Sequence, residues 1–217
     1  MILETIPVGP LQCNCYILGC EQTREALLID PGEDADLILP VLEKHQLKVK
    51  YILTTHAHID HVGDLEAVRS KTGAEALLHE MDLVLYQNLP IQAAWLGVET
   101  PPTIKIDNYI HDQDQLHFGR HIGEILFIPG HTQGSVCLYL PDQTGKLFAG
   151  DTLFKHSIGR TDLWGGSYES IIQSIHEKLM PLDDNTVVYP GHGPATTLGA
   201  ELRRNPFLVE LRLERQA

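Results

Sequence analysis

The chain has 217 residues, enough for one well-buried domain, and its 43% hydrophobic and 21% charged residues are ordinary for a globular protein. A formal net charge of −13, with no basic cluster to interrupt it, argues against nucleic acid or an anionic membrane as partner. No apolar run approaches the ~20 residues of a membrane span, and no basic flank precedes Ile2 and Leu3, so no signal peptide is expected. The four cysteines, Cys13, Cys15, Cys20 and Cys137, read as free, half-buried strand thiols, and the chain as cytoplasmic. A Cys13–Cys15 metal clip has no matching second pair.

Residues 2–9 and 12–19 read as strands joined by a Gly9-Pro10 turn, and Glu25 to Ile29 as a third, stopped by Asp30-Pro31-Gly32. Three short strands in succession suggest an antiparallel meander. Residues 34–46 have helical spacing, with Leu37, Ile38, Val41 and Leu42 on one face. Pro40 conflicts with a continuous helix, so the helix should start near Leu37 or bend. Val49 to Thr54 reads as a buried strand, followed by a helix from Asp64 with Leu65 and Val68 inward. Glu75 to Leu78 is a short strand, and residues 80–96 a helix broken near Pro90. Thr100-Pro101-Pro102 is a loop, and Asp107 to Phe118 shows only weak strand signals. Glu124–Ile128, Ser135–Leu140, Lys146–Ala149 and Thr186–Tyr189 read as strands. Residues 168–179 are an amphipathic helix, with Ile171, Ile172, Ile175 and Leu179 inward and Ser167 as cap. No repeat, low-complexity segment or linker is evident.

The segment His56-Ala57-His58-Ile59-Asp60-His61 puts three imidazoles and a carboxylate within six residues, directly after an apolar run. Neutral imidazole and carboxylate are the ligands a divalent transition ion accepts. In extended chain, His56 and His58 point the same way and can grip one ion. Asp60 and His61, past a change of direction, could face a second. The pattern recurs downstream, where a strand-like run ends and His131, Asp151 or His192 follows, each directly after a glycine. Glycine suits a chain that leaves a strand sharply.

These motifs, His56-x-His58-x-Asp60-His61, Pro129-Gly130-His131-Thr132-x-Gly134-Ser135, Gly150-Asp151-Thr152-Leu153-Phe154 and Gly191-His192-Gly193, resemble the series of the metallo-β-lactamase fold. Within it they look most like the glyoxalase II (hydroxyacylglutathione hydrolase) branch. The resemblance covers nearly the whole chain. It implies one α/β domain over residues 1–217, an αββα sandwich of two mixed sheets flanked by helices. It also implies ligand roles: His56, His58 and His131 on a first ion, Asp60, His61 and His192 on a second, and Asp151 bridging both. An all-nitrogen-and-oxygen site of this kind suits zinc, iron or manganese. Two such ions share a water whose pKa can fall from 15.7 to about 7, giving a metal-bound hydroxide at neutral pH. Asp60, as both ligand and catalytic residue, could orient that water and take its proton.

Two departures separate the chain from glyoxalase II. It ends soon after His192, so the family's C-terminal glutathione-binding helical region is missing or reduced to Glu201–Ala217. Arg160 matches a basic residue that contacts glutathione, but Asp162 stands where an aromatic is expected. The Gly159-Arg160-Thr161-Asp162 form looks like the single-domain bacterial members and is shared by persulfide dioxygenases. Arg160 could therefore bind a substrate carboxylate or pair with Asp162 to brace the loop. Asn205-Pro206-Phe207-Leu208 also resembles the single-domain subgroup and could cap the cleft, packing being the plainer role.

The expected function is a metal-dependent hydrolase of a small-molecule thioester, such as S-lactoylglutathione. The alternatives are a persulfide dioxygenase using one iron at the His56, His58, His131 or Asp151 positions, or a hydrolase of another ester or thioester. The sequence does not fix the oligomeric state.

Overall fold

The computed structural model describes residues 1–142 and 144–208. It contains two six-stranded mixed sheets with helices, together with a two-stranded ribbon, and it divides into two compact units. One unit comprises Met1–Ile110 and Leu116–Ile122, the other His111–Gln115 and the chain from Gly123 onward.

In the first unit the expected meander is present. β1 (Ile2–Val8), β2 (Cys13–Gly19) and β3 (Glu25–Ile29) pair antiparallel. The order then continues in parallel through β4 (Lys48–Leu53), β5 (Glu75–Leu78) and β6 (Asn108–Tyr109). Parallel neighbours need crossovers, which here are helical. These are α1 (Ala35–Lys44), then α2 (Ile59–Val62) and α3 (Leu65–Thr72), then α4 (Leu83–Gln87) and α5 (Leu89–Leu96). α1 starts at Ala35 rather than near Leu37 and carries Pro40 inside. Ile38 and Leu42 are buried as expected, whereas Leu37 is exposed, so the apolar stripe is narrower than its spacing suggests. The break between α4 and α5 falls at Asn88, and Pro90 sits in the first turn of α5, where its missing N–H costs no helical bond. Leu65 and Val68 face inward, with Ile17, Leu28, Ile52 and Leu78 in the same apolar cluster.

The second sheet has the order β14-β13-β10-β9-β8-β7. Its strands are β7 (Gln115–Phe118), β8 (His121–Phe127), β9 (Val136–Leu140), β10 (Lys146–Gly150), β13 (Val187–Pro190) and β14 (Thr196–Thr197). β8, β9 and β10 pair antiparallel, whereas β10 and β13 are parallel. The chain between β10 and β13 includes α6 (Tyr168–Ser174), which Ile175–Leu179 extends as a π-helical turn. Ser167 caps α6 through Ser170 N (3.2 Å), and Ile171, Ile175 and Leu179 are buried, while Ile172 is half-buried. The ribbon β11 (Leu153–Phe154) and β12 (Ser157–Ile158) follows β10, and α7 (Leu198–Arg204) is followed by a 3₁₀ turn over Pro206–Leu208 at the end of the described chain. The anticipated tail beyond Leu208 lies outside the described residues.

All four cysteines are free, and they are fully rather than half buried. Cys13 and Cys15 sit in the apolar cluster of the first unit, which disfavours a thiolate clip. No helix among the described residues is long and apolar enough to cross a membrane.

Candidate metal centre

Each unit presents a group of ligand-type side chains at the ends of its strands. In the first, β4 ends at Leu53, the chain bends at Thr55 and His56, and His58, with φ −74° and ψ 147°, precedes the turn into α2. This is the change of direction expected after His58. His56 and His58 hold their rings edge to face, with centroids 4.8 Å apart, and the rings of His56 and His61 are 4.0 Å apart. His56 and His61 are buried.

A residue read only as a turn signal organises this cluster. Asp30, at the end of β3, is 1% exposed. Its Oδ1 accepts from Thr55 N (2.7 Å), and its Oδ2 accepts from the Thr55 hydroxyl (2.7 Å) and from His61 Nδ1 (2.9 Å). With its proton committed to Asp30, Thr55 Oγ1 accepts from His56 Nδ1 (3.1 Å). One carboxylate therefore selects the tautomer of two histidines, leaving each with its lone pair on Nε2. A carboxylate behind a histidine is the usual outer support of a metal ligand. The available signal was an acid placed directly at the end of a buried apolar strand.

Two more side chains hold the loop from behind. Asp82, also 1% exposed, accepts from Ala57 N (2.9 Å). The Gln92 amide accepts from Ile59 N (3.0 Å) and donates to Ala57 O (3.0 Å) and Leu85 O (3.1 Å). Nothing in the sequence marks either residue. Cys13 Sγ lies 3.5 Å from His61 Nδ1, and burial pushes its thiol up to about 12, so it is a neutral neighbour rather than a thiolate ligand. Burial first, and then Asp34, Asp64 and Asp60, also push the Glu33 carboxyl up, which marks the Asp60 side of the loop as electronegative.

In the second unit, β8, β10 and β13 deliver His131, Asp151 and His192 from their ends. Gly130 has φ +142°, and a Cβ there would stand 2.3 Å from Ile171 N, so the approach to His131 admits no side chain. Gly150 is also at positive φ (48°), whereas Gly191 is not, so the steric reason expected for all three glycines applies to two. His131 Nδ1 donates to the Arg160 carbonyl (2.8 Å), which again leaves the lone pair on Nε2. That Nε2 lies 3.6 Å from Asp151 Oδ2, and His192 Nε2 lies 3.7 Å from the same oxygen.

The donor set can be tested against a cation. A neutral imidazole lone pair facing a carboxylate oxygen is a contact between two acceptors, unfavourable unless positive charge stands between them. It occurs at His131 and Asp151 (3.6 Å), and again in the first unit at His61 Nε2 and Asp60 Oδ2 (3.8 Å). Ligands held at about 2.0–2.2 Å from one tetrahedral ion stand about 3.3–3.6 Å apart. The 3.6 Å spacing meets that range and those of 3.7 and 3.8 Å lie just above it, and all three are too long for direct hydrogen bonds. The groups fit a divalent ion.

Arg160 and Asp162 are elsewhere engaged. Arg160 Nε and one of its terminal nitrogens donate to the two Asp162 oxygens, each at 3.0 Å, in an exposed fork. This pairing holds the Asp162 carboxyl below its usual range and the guanidinium above its own.

The model of the metallo-β-lactamase superfamily matches residues 8–192, a span that runs from β1 to His192. The chain belongs to the metallo-β-lactamase superfamily. Its fold matches that of solved members. The crystal structure of BLEG-1, a B3 metallo-β-lactamase, has a TM-score of 0.89 at 38% identity, covering 96% of this chain and 100% of that one. A di-iron-bound form of TTHA1623 has a TM-score of 0.86 at 36% identity, covering 94% of this chain and 100% of that one. Among curated relatives, the hydroxyacylglutathione hydrolase GloC of Haemophilus influenzae is 37% identical over 96% of this chain and 98% of its own length. The mitochondrial persulfide dioxygenase ETHE1 of Bos taurus is 33% identical over 92% of this chain and 73% of its own. The chain is thus a superfamily enzyme with a His/Asp set able to bind metal. Its relatives include both a hydrolase and a dioxygenase.

Proposed function

We propose that the chain is a cytoplasmic, metal-dependent hydrolase of a small-molecule thioester, with a glutathione thioester such as S-lactoylglutathione as its substrate. The two units are read as parts of one family domain, because a single family model spans residues 8–192. In this reading His56, His58 and His131 hold one divalent ion and Asp60, His61 and His192 a second, with Asp151 bridging. Zinc is the expected metal, with iron or manganese as substitutes, and the di-iron TTHA1623 supports a site for two ions. The observation that carries the reading is the repeated pairing of an Nε2 lone pair with a carboxylate oxygen, at His131–Asp151 and His61–Asp60.

Bound there, divalent ions would bring the pKa of water down to about 7 and polarise the thioester carbonyl. The protein's own groups do the rest. Asp30, through Thr55 and directly, and the Arg160 carbonyl take the Nδ1 protons of His56, His61 and His131, which fixes each ring with Nε2 as its ligand atom. Asp60 orients the attacking water and takes its proton. The departing thiolate, of pKa near ~8.5, is a weak enough base to leave without an acid, so no further group is required. GloC supports the substrate class.

The bovine persulfide dioxygenase at 33% identity supports a second reading, oxidation of a persulfide at a single iron. One preparation with quantified metals separates the two. Thiol release from S-lactoylglutathione in proportion to metal content, without persulfide-dependent oxygen uptake, is expected. Oxygen uptake with about one iron per chain and no thiol release would overturn the hydrolase reading.

A further inference from the structure

The C-terminal helix carries a buried carboxylate that apolar packing does not explain. Glu201 in α7 is 0% exposed, and Leu198, Leu202 and Leu208 around it already join the cluster that contains Leu153, Ile158 and Ile175. Anchoring the tail therefore needs no charge, and a carboxylate removed from water is costly unless it is directed at donors. Three donors meet it. Thr196 Oγ1 donates to Oε1 (2.6 Å), while His156 N (2.7 Å) and Asn205 Nδ2 (3.0 Å) donate to Oε2.

Asn205, one turn on and 1% exposed, also donates from Nδ2 to Ser157 O (2.9 Å), and its Oδ1 accepts from Phe207 N (3.1 Å). Both residues thus act on the tip of the β11–β12 ribbon, where His156 is held at φ +64°. A non-glycine residue there is strained unless its surroundings hold it. The hydrogen bond from its N–H to Glu201 supplies that hold.

The ribbon leads straight into the metal half-site. Gly159 follows β12 so closely against Asp151 that a Cβ on it would stand 1.8 Å from the Asp151 carbonyl. The next residue, Arg160, offers the carbonyl that takes the His131 Nδ1 proton. Only three residues separate His156 from Arg160, and a shift at the ribbon tip has little chain in which to dissipate.

We propose that Glu201 and Asn205 are positioning residues for His131: they lock the 156–160 segment so that the Arg160 carbonyl fixes the tautomer and aim of that imidazole beside Asp151. The inference rests on the metal reading above. It gives the short C-terminal segment a role at the site without direct contact with substrate.

The test uses the full chain loaded with Co(II), whose absorption reports ligand geometry, and a chelator competition that reads affinity. Asn205→Ala and Glu201→Gln are compared with Leu208→Ala, which loosens the same tail through its apolar contacts alone. The expected result is a 10–100-fold loss of Co(II) affinity with an altered absorption band for Asn205→Ala and Glu201→Gln. Leu208→Ala should retain wild-type affinity and spectrum even if its melting temperature falls as far. Wild-type binding and spectrum in Asn205→Ala, or an equal affinity loss in Leu208→Ala, would overturn the positioning role while leaving the metal site intact. Failure of the wild type to take up Co(II), or a His131→Ala variant that binds it unchanged, would instead remove the metal reading and this proposal with it.

Discussion

At the scale of single residues, the chain spends buried polar groups on aiming imidazoles. Asp30 is the clearest case, because one carboxylate sets two histidines through Thr55 and His61. Asp30→Asn should keep the fold and lower metal affinity by 10–100-fold, as read by chelator competition; unchanged affinity would remove it from the site's support. Asp151→Ala should lose metal and activity together, since it stands 3.6 and 3.7 Å from two imidazole nitrogens. Arg160 raises a different question. Its two donating nitrogens are taken by Asp162, which supports a brace over a docking point for a substrate carboxylate. A brace predicts that Arg160→Ala and Asp162→Ala each raise KM equally for glutathione and neutral thioesters, and that the double variant is no worse than the worse single one. A KM rise confined to the glutathione substrate would restore the docking role.

At the scale of elements, strands and glycine turns deliver the ligands, and this was the level most legible in the sequence. The meander, β5 and the α6 cap follow from alternation and turn chemistry that local residues dictate. Short pieces escaped for a physical reason. β11, β12 and β14 have two residues each, too few to show alternation, and their pairing is a tertiary matter. α7 left a faint trace, because Thr197 caps it through Ala200 N (3.2 Å), but a seven-residue helix offers little periodicity. The histidine cluster was legible because its ligands crowd into six residues. Asp82 and Gln92 were not, since their partners on the histidine loop lie 25 to 35 residues away and only folding reveals the contact. The turn at Gly130 allows a firm test. Gly130→Ala places a Cβ against Ile171 at a strained φ and should cost roughly 2–4 kcal/mol in denaturant unfolding. A cost near zero would mean that the approach to His131 is looser than described.

At the scale of the whole molecule, acidity and pairing set the response to solvent. A pair of divalent cations would offset part of the net charge of −13. Among the described ion pairs, Asp107 shows the sign of the pH response. Its hydrogen bonds from Arg69 hold its carboxyl below the usual range against some burial, with a further bond from Ala76 N. A depressed folded pKa stabilises the fold above the unfolded value and loses that stabilisation as pH falls through the folded one. Arg69→Ala should therefore cost up to about 1 kcal/mol at pH 7, as this partly exposed pair is screened, and much less once the pH has fallen through the depressed pKa of Asp107. A loss independent of pH would trace the effect to packing instead.

Anomalous diffraction from metal-loaded crystals is the sharpest test of the proposal that seven side chains hold two divalent ions. Two anomalous peaks are expected, one ligated by His56, His58 and His131, the other by Asp60, His61 and His192, with Asp151 reaching both. Crystals of metal-loaded protein with no peak among these residues, or with metal bound through a different set, would contradict it.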